Sequence, residues 1–355
     1  MNRKMSSYRK QIDSIDMKIV SFLHKRAGAV KKIAALKKNG GNEIYDPARE
    51  AEVLQKIKAV KKGLFPADGL EAVYNEIFSV SREMQKKIKV AYLGPVASYT
   101  HLAARRRFGS STEFLPGETI KSVFWKVDKG TANYGCVPIE NSTEGAVNYT
   151  YDMFADFDLK IFSEVMLRIH HCLLSKTQDR KKIKIIYSHP QTFAQCRGWL
   201  ETYMQGVPLK EVSSNSKAAE LASKEEFAAA IASNMSAQVY GLNVLSRAVE
   251  DMTDNYTRFF IIARETARKT GRDKTTIMVS IKDKPGALLQ ILRPFEKEKI
   301  NLTNIESRPS RKKVWDYYFF VDFEGHMNDK KVKKAVVAVE REAGSVKVLG
   351  SYPQF

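Results

Sequence analysis

From about Ser7 to Lys38 the chain carries apolar residues at helical spacing, and the first turn signal is Asn39-Gly40-Gly41-Asn42. A helix over that stretch, at ~1.5 Å per residue, is nearly ~50 Å long. One small domain cannot cover such a helix, so the pattern predicts a partner helix from a second subunit. With ~100° per residue, Ile12, Ile15, Ile19, Phe22, Val30 and Ile33 fall within ~40° of Arg26, and Lys37 lies ~20° from Arg26. Two cations thus stand where core is expected. Snorkelling suits one cation near a helix end better than two on one stripe, one of them mid-helix. Buried Arg and Lys call for an anion, and a bound dicarboxylate would supply it. Arg9 lies roughly 100° round from Arg26 and could face a site of the second subunit.

Texture changes twice after this helix. Residues 1–88 read as helical, with further turn signals at Asp46-Pro47 and between Gly63 and Gly69. From Lys89, short apolar runs (Val90 to Leu93, Tyr134 to Val137, Ile183 to Tyr187) alternate with helical stretches, Ser216 to Ser223 and Ala228 to Tyr240 among them. That alternation predicts an α/β domain. After the polar linker Lys269-Thr270-Gly271-Arg272, Thr275 to Ile281, Gly286 to Lys297, Ile300 to Ser307, Trp315 to Phe323, Asn328 to Glu342 and Val346 to Leu349 read as βαββαβ. That order fits a ferredoxin-like α+β domain. The expected architecture is multidomain: 1–88, 89–268 and 274–355.

The formal net charge of +19 over 355 residues invites a nucleic-acid reading. The excess is spread over all three segments, whereas a nucleic-acid footprint concentrates in one stripe. Distributed charge also suits small anionic substrates. Cys136, Cys172 and Cys196 show no paired spacing and read as free thiols in a reducing compartment. His170-His171-Cys172 lacks a second ligand cluster, so no metal or other cofactor is expected. With no secretory core near Met1 and no apolar run approaching ~20 residues, the expectation is a soluble cytoplasmic protein with no membrane partner.

The helical segment resembles the all-helical chorismate mutase family of intertwined dimers. Its pattern is matched by Arg9, Arg26, Lys37, Asp46, Arg49, Glu50, Ser81 and Gln85, the last two at i and i+4 on one helical face. A Claisen rearrangement of chorismate needs no nucleophile; it needs a held conformer and stabilised charge on the ether oxygen. The resemblance implies that Arg26, with Arg9 of the other subunit, clamps the carboxylates. Lys37 and Gln85 would bond the ether oxygen, while Asp46, Glu50 and Ser81 orient the rest.

In the middle segment Thr257-Arg258 opens the apolar run Phe259 to Ala263, which puts a hydroxyl and a guanidinium at the mouth of a buried strand. Arg can clamp a carboxylate, and Thr can give or take one hydrogen bond. Three further segments read as loops feeding a cleft. The turn Gly94 to Thr100 offers backbone N–H groups to an anion. Glu140, Asn141 and Ser142 crowd one turn; Ser188-His189 follows a strand, with Gln195 behind it.

Together these resemble the prephenate dehydratase family, with two α/β lobes in the manner of periplasmic binding proteins. The resemblance implies that Thr257 assists departure of the hydroxyl from prephenate, Arg258 binds carboxylate, and Glu140, Asn141, Ser142, Ser188, His189 and Gln195 shape the cleft. Ala97 stands where that family has Gly, which strains the loop if the position needs φ > 0.

The last segment resembles the ACT domain. Asp283 to Leu289 and Glu306 to Arg308 match its motifs, and imply a phenylalanine site built from Gly286, Ala287, Leu288, Glu306, Ser307 and Arg308. The combined resemblance implies a bifunctional enzyme that takes chorismate through prephenate to phenylpyruvate, as a homodimer or tetramer, with feedback by phenylalanine. Arogenate dehydratase activity and a non-catalytic amino-acid sensor are the alternatives.

Overall fold

At Lys89 the chain passes from helix to sheet, and three bodies follow one another along it. The computed structural model describes residues 2–40, 45–60, 63–281, 284–309 and 317–354. Residues before 89 form α1 (Asn2–Gly40), α2 (Pro47–Lys58) and α3 (Ala67–Glu83). Asp46 starts α2 by accepting from the Arg49 N–H at 3.0 Å, with Pro47 at the first helical position. The apolar stripe of α1 stays open: Ile12, Ile15, Ile19 and Phe22 are each more than half exposed. Among the described residues nothing covers that stripe.

Next come β1 (Lys89–Leu93), α4 (Tyr99–Phe108), β2 (Glu113–Gly117), α5 (Ile120–Asp128), β3 (Tyr134–Asn141), β4 (Gly145–Ala146), α6 (Asn148–Asp156) and β5 (Lys160–Arg168). A second lobe is made of β6 (Cys172–Ser175), β7 (Ile185–Ser188), α7 (Pro190–Gln195), α8 (Arg197–Tyr203), β8 (Leu209–Glu211), α9 (Asn215–Ala222), β9 (Ala228–Ala232), α10 (Asn234–Tyr240) and β10 (Asn243–Arg247). The chain then returns as β11 (Tyr256–Ala263), which inserts between β3 and β5 of the first sheet. The order β2-β1-β3-β11-β5 is therefore completed by a strand that follows the second lobe, β10-β6-β9-β7-β8, in the chain. Two crossovers, residues 169–171 and 248–255, join the lobes.

One expectation fails here. Ala228 to Ala232 is a fully buried strand rather than the start of a helix. Alanine favours helix in isolation, but β9 lies between β6 and β7, and its small side chains let α9 pack closely through Ala218, Ala219 and Ala222.

The final body runs β12 (Asp273–Ile281), α11 (Ala287–Lys297), β13 (Leu302–Pro309), β14 (Tyr317–Glu324), α12 (Lys330–Glu342) and β15 (Ser345–Pro353), in sheet order β13-β14-β12-β15. Its two helices cover one face of the sheet. The other face joins the first lobe's core, where Met278, Phe320, Leu349 and Tyr352 pack with Phe154, Ile161 and Phe260. Gly350 marks the closest approach, since an added Cβ would overlap the Ile161 carbonyl oxygen. Among the described residues no helix is long and apolar enough to cross a membrane.

Candidate functional site

Side chains alternate faces along a strand, and that alternation decides the fate of Thr257 and Arg258. In the β3–β11 ladder Thr257 pairs with Asn141 and Arg258 pairs with Glu140. Paired residues share a face, so the two couples point opposite ways.

Thr257 is half-buried, and its Oγ1 accepts from Asn141 Nδ2 at 2.7 Å. The Asn141 amide cannot turn round, because its Oδ1 accepts the backbone N–H groups of Thr143 at 3.0 Å and Glu144 at 3.1 Å. Asn141 Nδ2 also donates to Asn255 Oδ1 at 2.9 Å. Asn255 Nδ2 reaches Gln195 Oε1 at 3.4 Å, and Gln195 Nε2 reaches Thr143 Oγ1 at 3.4 Å. Gln195 belongs to the second lobe and Thr143 to the first, so this polar cluster bridges the lobes beside the crossovers. Elsewhere between the lobes a cavity of about 610 Å³ is lined by Gly94, Gly117, Glu118, Ser214 and Lys217.

Arg258 does not belong to this cluster. It is buried on the other face, where it bonds Glu164 at 2.9 Å, Asp322 at 2.6 Å and the Tyr352 hydroxyl at 3.1 Å. Lys274 completes the group at 3.0 Å from Glu164. Carboxylates of the protein occupy this guanidinium, which corrects its expected role in binding prephenate. Glu140 lies on the same face, and its charge acts on Tyr151 together with those of Asp322, Arg258 and Glu306. It too leaves the Thr257 cluster.

Other expected residues make contacts within the chain. Ser188 is fully buried and donates to the Ile231 carbonyl at 2.9 Å. Ser142 accepts the Tyr256 N–H at 2.9 Å and closes the β3–β11 end. His189 sits half-buried at the start of α7, with its N–H on Asn215 Oδ1 at 3.2 Å. Three N–H groups of the Gly94 to Thr100 turn are taken within the chain: Gly94 donates to Gly117 O, Ser98 to Pro95 O and Ala97 to His101 Nδ1, at 2.8, 3.1 and 3.1 Å. Burial, then Arg105, pulls the His101 pKa down to about 4, so Nδ1 stays unprotonated as this bond requires.

Ala97 has φ of 65° and is buried, so the strain expected of an alanine there is present. A left-handed alanine costs roughly 1–2 kcal/mol, and glycine loses roughly 0.5–1 kcal/mol more chain freedom on folding. Ala97→Gly should therefore stabilise the dehydratase segment by up to about 1 kcal/mol, read as a rise in its thermal midpoint. A fall would show that buried contacts of the Ala97 methyl outweigh the backbone term.

Sequence reasoning missed Asn255, Thr143, Tyr99 and His171. Asn255 reads as a turn residue, and His171 draws notice only as part of a metal motif. Its ring instead bonds Gln195 Oε1 at 2.9 Å and the Tyr99 hydroxyl at 2.8 Å.

In the helical segment, Arg26 donates to Ser81 Oγ across α1 and α3, at the edge of a cavity of about 460 Å³ that Leu23, Ala27 and Met84 also line. Burial lowers the Arg26 pKa, while Tyr74 and Glu50 oppose that shift. Gln85 lies one turn beyond Ser81, with Nε2 on the Ser81 carbonyl at 3.1 Å and a buried Oε1 without a partner. Glu50 is ion-paired with Arg82, whose other nitrogen donates to Phe108 O at 2.7 Å and ties the helices to α4.

Two expected members stand apart. Asp46 caps α2 and pairs with Arg268 at 3.0 Å, and exposed Arg49 pairs with Glu52 at 2.8 Å. Seventeen residues separate Arg9 from Arg26, about 25 Å along one helix, so the two cannot meet within one chain. The Lys37 side chain lies outside the described residues.

In the third segment Gly286, with φ of 78°, begins α11 ahead of Ala287 and Leu288. Glu306, Ser307 and Arg308 lie on β13, the edge strand. Arg308 reaches Asp152 on α6 at 3.4 Å, across the contact between bodies. Asp283 lies outside the described residues.

Family sequence models match in order: chorismate mutase type II over residues 8–86, prephenate dehydratase over 90–267 and ACT domain over 275–341. The bifunctional chorismate mutase/prephenate dehydratase of Aquifex aeolicus is 46% identical over 99% of this chain and 98% of its own. That of Pseudomonas aeruginosa is 42% identical over the same shares. Among solved structures, a prephenate dehydratase from Arthrobacter aurescens in complex with L-Phe has TM-score 0.70 and 32% identity, covering 75% of this chain and 90% of that one. A quorum-quenching acylase, GqqA, also has TM-score 0.70, at 27% identity, covering 75% of this chain and 98% of that one.

Proposed function

The chain belongs to the family of bifunctional chorismate mutase/prephenate dehydratases, and from that premise we propose how its residues divide the work. It rearranges chorismate to prephenate and then converts prephenate to phenylpyruvate, with loss of carbon dioxide and of the ring hydroxyl. We place the mutase in residues 1–88, the dehydratase in 89–268 and the regulatory domain in 274–355.

The observation that carries the dehydratase reading is the Asn141–Thr257 bond. Asn141 fills one lone pair of the Thr257 oxygen, so the hydroxyl hydrogen is left to point at a ligand. Thr257 thus donates a hydrogen bond to the departing oxygen of prephenate. Developing negative charge there strengthens that bond in the transition state more than in the ground state, which is what accelerates a step. Aromatisation of the ring supplies the driving force.

In the mutase, Arg26 clamps one carboxylate and Gln85 bonds the ether oxygen, with Ser81 setting the Arg26 guanidinium. The exposed stripe of α1 supports a homodimer in which Arg9 of a second copy completes the clamp. Feeding chorismate and reading phenylpyruvate absorbance in base tests the whole sequence. Prephenate without phenylpyruvate would remove the dehydratase assignment, and turnover of arogenate in preference to prephenate would change its substrate.

For the regulatory domain, Glu306 binds the ammonium of phenylalanine and the Gly286 to Leu288 backbone receives its carboxylate. Calorimetric titration should show Glu306→Ala binding phenylalanine at least about tenfold more weakly than wild type, the loss of one charge-assisted hydrogen bond of about 1.5–3 kcal/mol. Equal binding would discard this site.

A further inference from the structure

His171 lies on the first crossover, outside every assigned role, and it ends a hydrogen-bonded chain that begins at Thr257. Each link of that chain has a determined direction. The backbone N–H groups of Thr143 and Glu144 fix Asn141 Oδ1, which sends Nδ2 to Thr257 and Asn255. Asn255 must then accept through Oδ1 and donate through Nδ2 to Gln195 Oε1. Gln195 Oε1 takes its second hydrogen from His171 Nε2 at 2.9 Å. His171 Nδ1 is therefore unprotonated, and the Tyr99 hydroxyl, 2.8 Å away, shares its one hydrogen between this nitrogen and the His170 carbonyl oxygen, also at 2.8 Å.

The surroundings hold this state. Burial lowers the His171 pKa, favouring the neutral ring, and burial raises that of Tyr99 well above its usual value, keeping the hydroxyl protonated. The crossover itself is clamped, because Glu250 from the second crossover accepts the His171 N–H at 2.8 Å and meets His170 Nδ1 at 2.6 Å. Tyr99 comes from the first lobe, Gln195 from the second, and His171 and Asn255 from the two crossovers. One ring thus ties the relative placement of the lobes to the orientation of the amide that aims Thr257.

We infer that His171, held by Tyr99, is a positioning residue of the dehydratase, acting through Gln195 and Asn255 on the Asn141–Thr257 pair. This rests on the dehydratase reading above. A misplacement of about 1 Å in such a site costs on the order of 10²-fold in rate. His171→Asn, which cannot reach Gln195 with a donor, should lower dehydratase kcat by that factor, with KM for prephenate changed less than about threefold. His171→Gln can return a donor to the Nε2 position and should recover kcat to within about fivefold of wild type.

The decisive measurement is a double-mutant cycle on the full chain, with mutase turnover as the check on folding. If His171 acts through Gln195, His171→Asn combined with Gln195→Leu should be no slower than Gln195→Leu alone. Multiplying losses, or a His171→Gln protein as slow as His171→Asn, would overturn the inference. Should the asparagine variant fail to fold, Tyr99→Phe gives the same cycle against Gln195→Leu. Failure of wild type to consume prephenate would instead refute the underlying dehydratase reading.

Discussion

Thr257→Val should leave the rearrangement of chorismate at its wild-type rate and lower dehydratase kcat by on the order of 10²–10³-fold, the usual cost of deleting one preorganised donor to a developing oxyanion. Valine keeps the branched shape at a half-buried strand position, so loss of the hydroxyl is the main change. Asn141 Nδ2 loses one acceptor but keeps Asn255 Oδ1 at 2.9 Å, so the amide should hold its orientation. Chromatography of the products would show prephenate accumulating from chorismate with little phenylpyruvate. Equal loss of both activities would mean misfolding, and an unchanged dehydratase would remove Thr257 from the mechanism.

Replacing Arg258 by methionine should act through stability instead. Arg258 and Lys274 balance Glu164 and Asp322 in a buried group shared between the dehydratase lobe and the regulatory sheet. Burial works to lower the Arg258 pKa, but Tyr352, Asp322 and Glu164 together raise it above its ordinary value. Without the guanidinium, one net negative charge stays buried and Asp322 keeps only neutral partners. Breaking a buried pair in this way costs about 3–5 kcal/mol. Denaturant unfolding followed by tryptophan fluorescence, to which Trp125 on α5 contributes, should show an earlier midpoint. Unchanged stability with a raised KM for prephenate would return Arg258 to the substrate.

The contrast between these neighbours shows what a linear reading misses. Thr257 and Arg258 both hold groups suited to a dicarboxylate, and nothing local separates them. The β3–β11 register separates them, by placing Asn141 opposite one and Glu140 opposite the other. The same reason sends Glu140 away from the cleft. Ala228 to Ala232 was misread because helix propensity ranks alanine first, whereas its place between β6 and β7 was settled by strands distant in the chain. Ser188 looked like a cleft hydroxyl after a strand, yet its proton is given to the carbonyl of Ile231 in a neighbouring strand.

Other features were legible because their causes are local. Helical period, turn residues and the βαββαβ alternation depend on neighbours a few positions away, so the sequence by itself determined the three bodies and their order. The apolar stripe of α1 was also visible, because Ile12, Ile15, Ile19 and Phe22 recur at helical spacing, and all four are exposed in the fold. The resemblance of Arg26, Ser81 and Gln85 to a mutase site was legible too, and the fold brings Arg26 against Ser81. Only the tertiary structure decided which face each polar residue took, which charges were already neutralised within the chain, and that His171 stands behind Thr257. Those outcomes depend on register and on contacts between residues far apart in the chain, 116 positions for Asn141 and Thr257, and no local pattern encodes them.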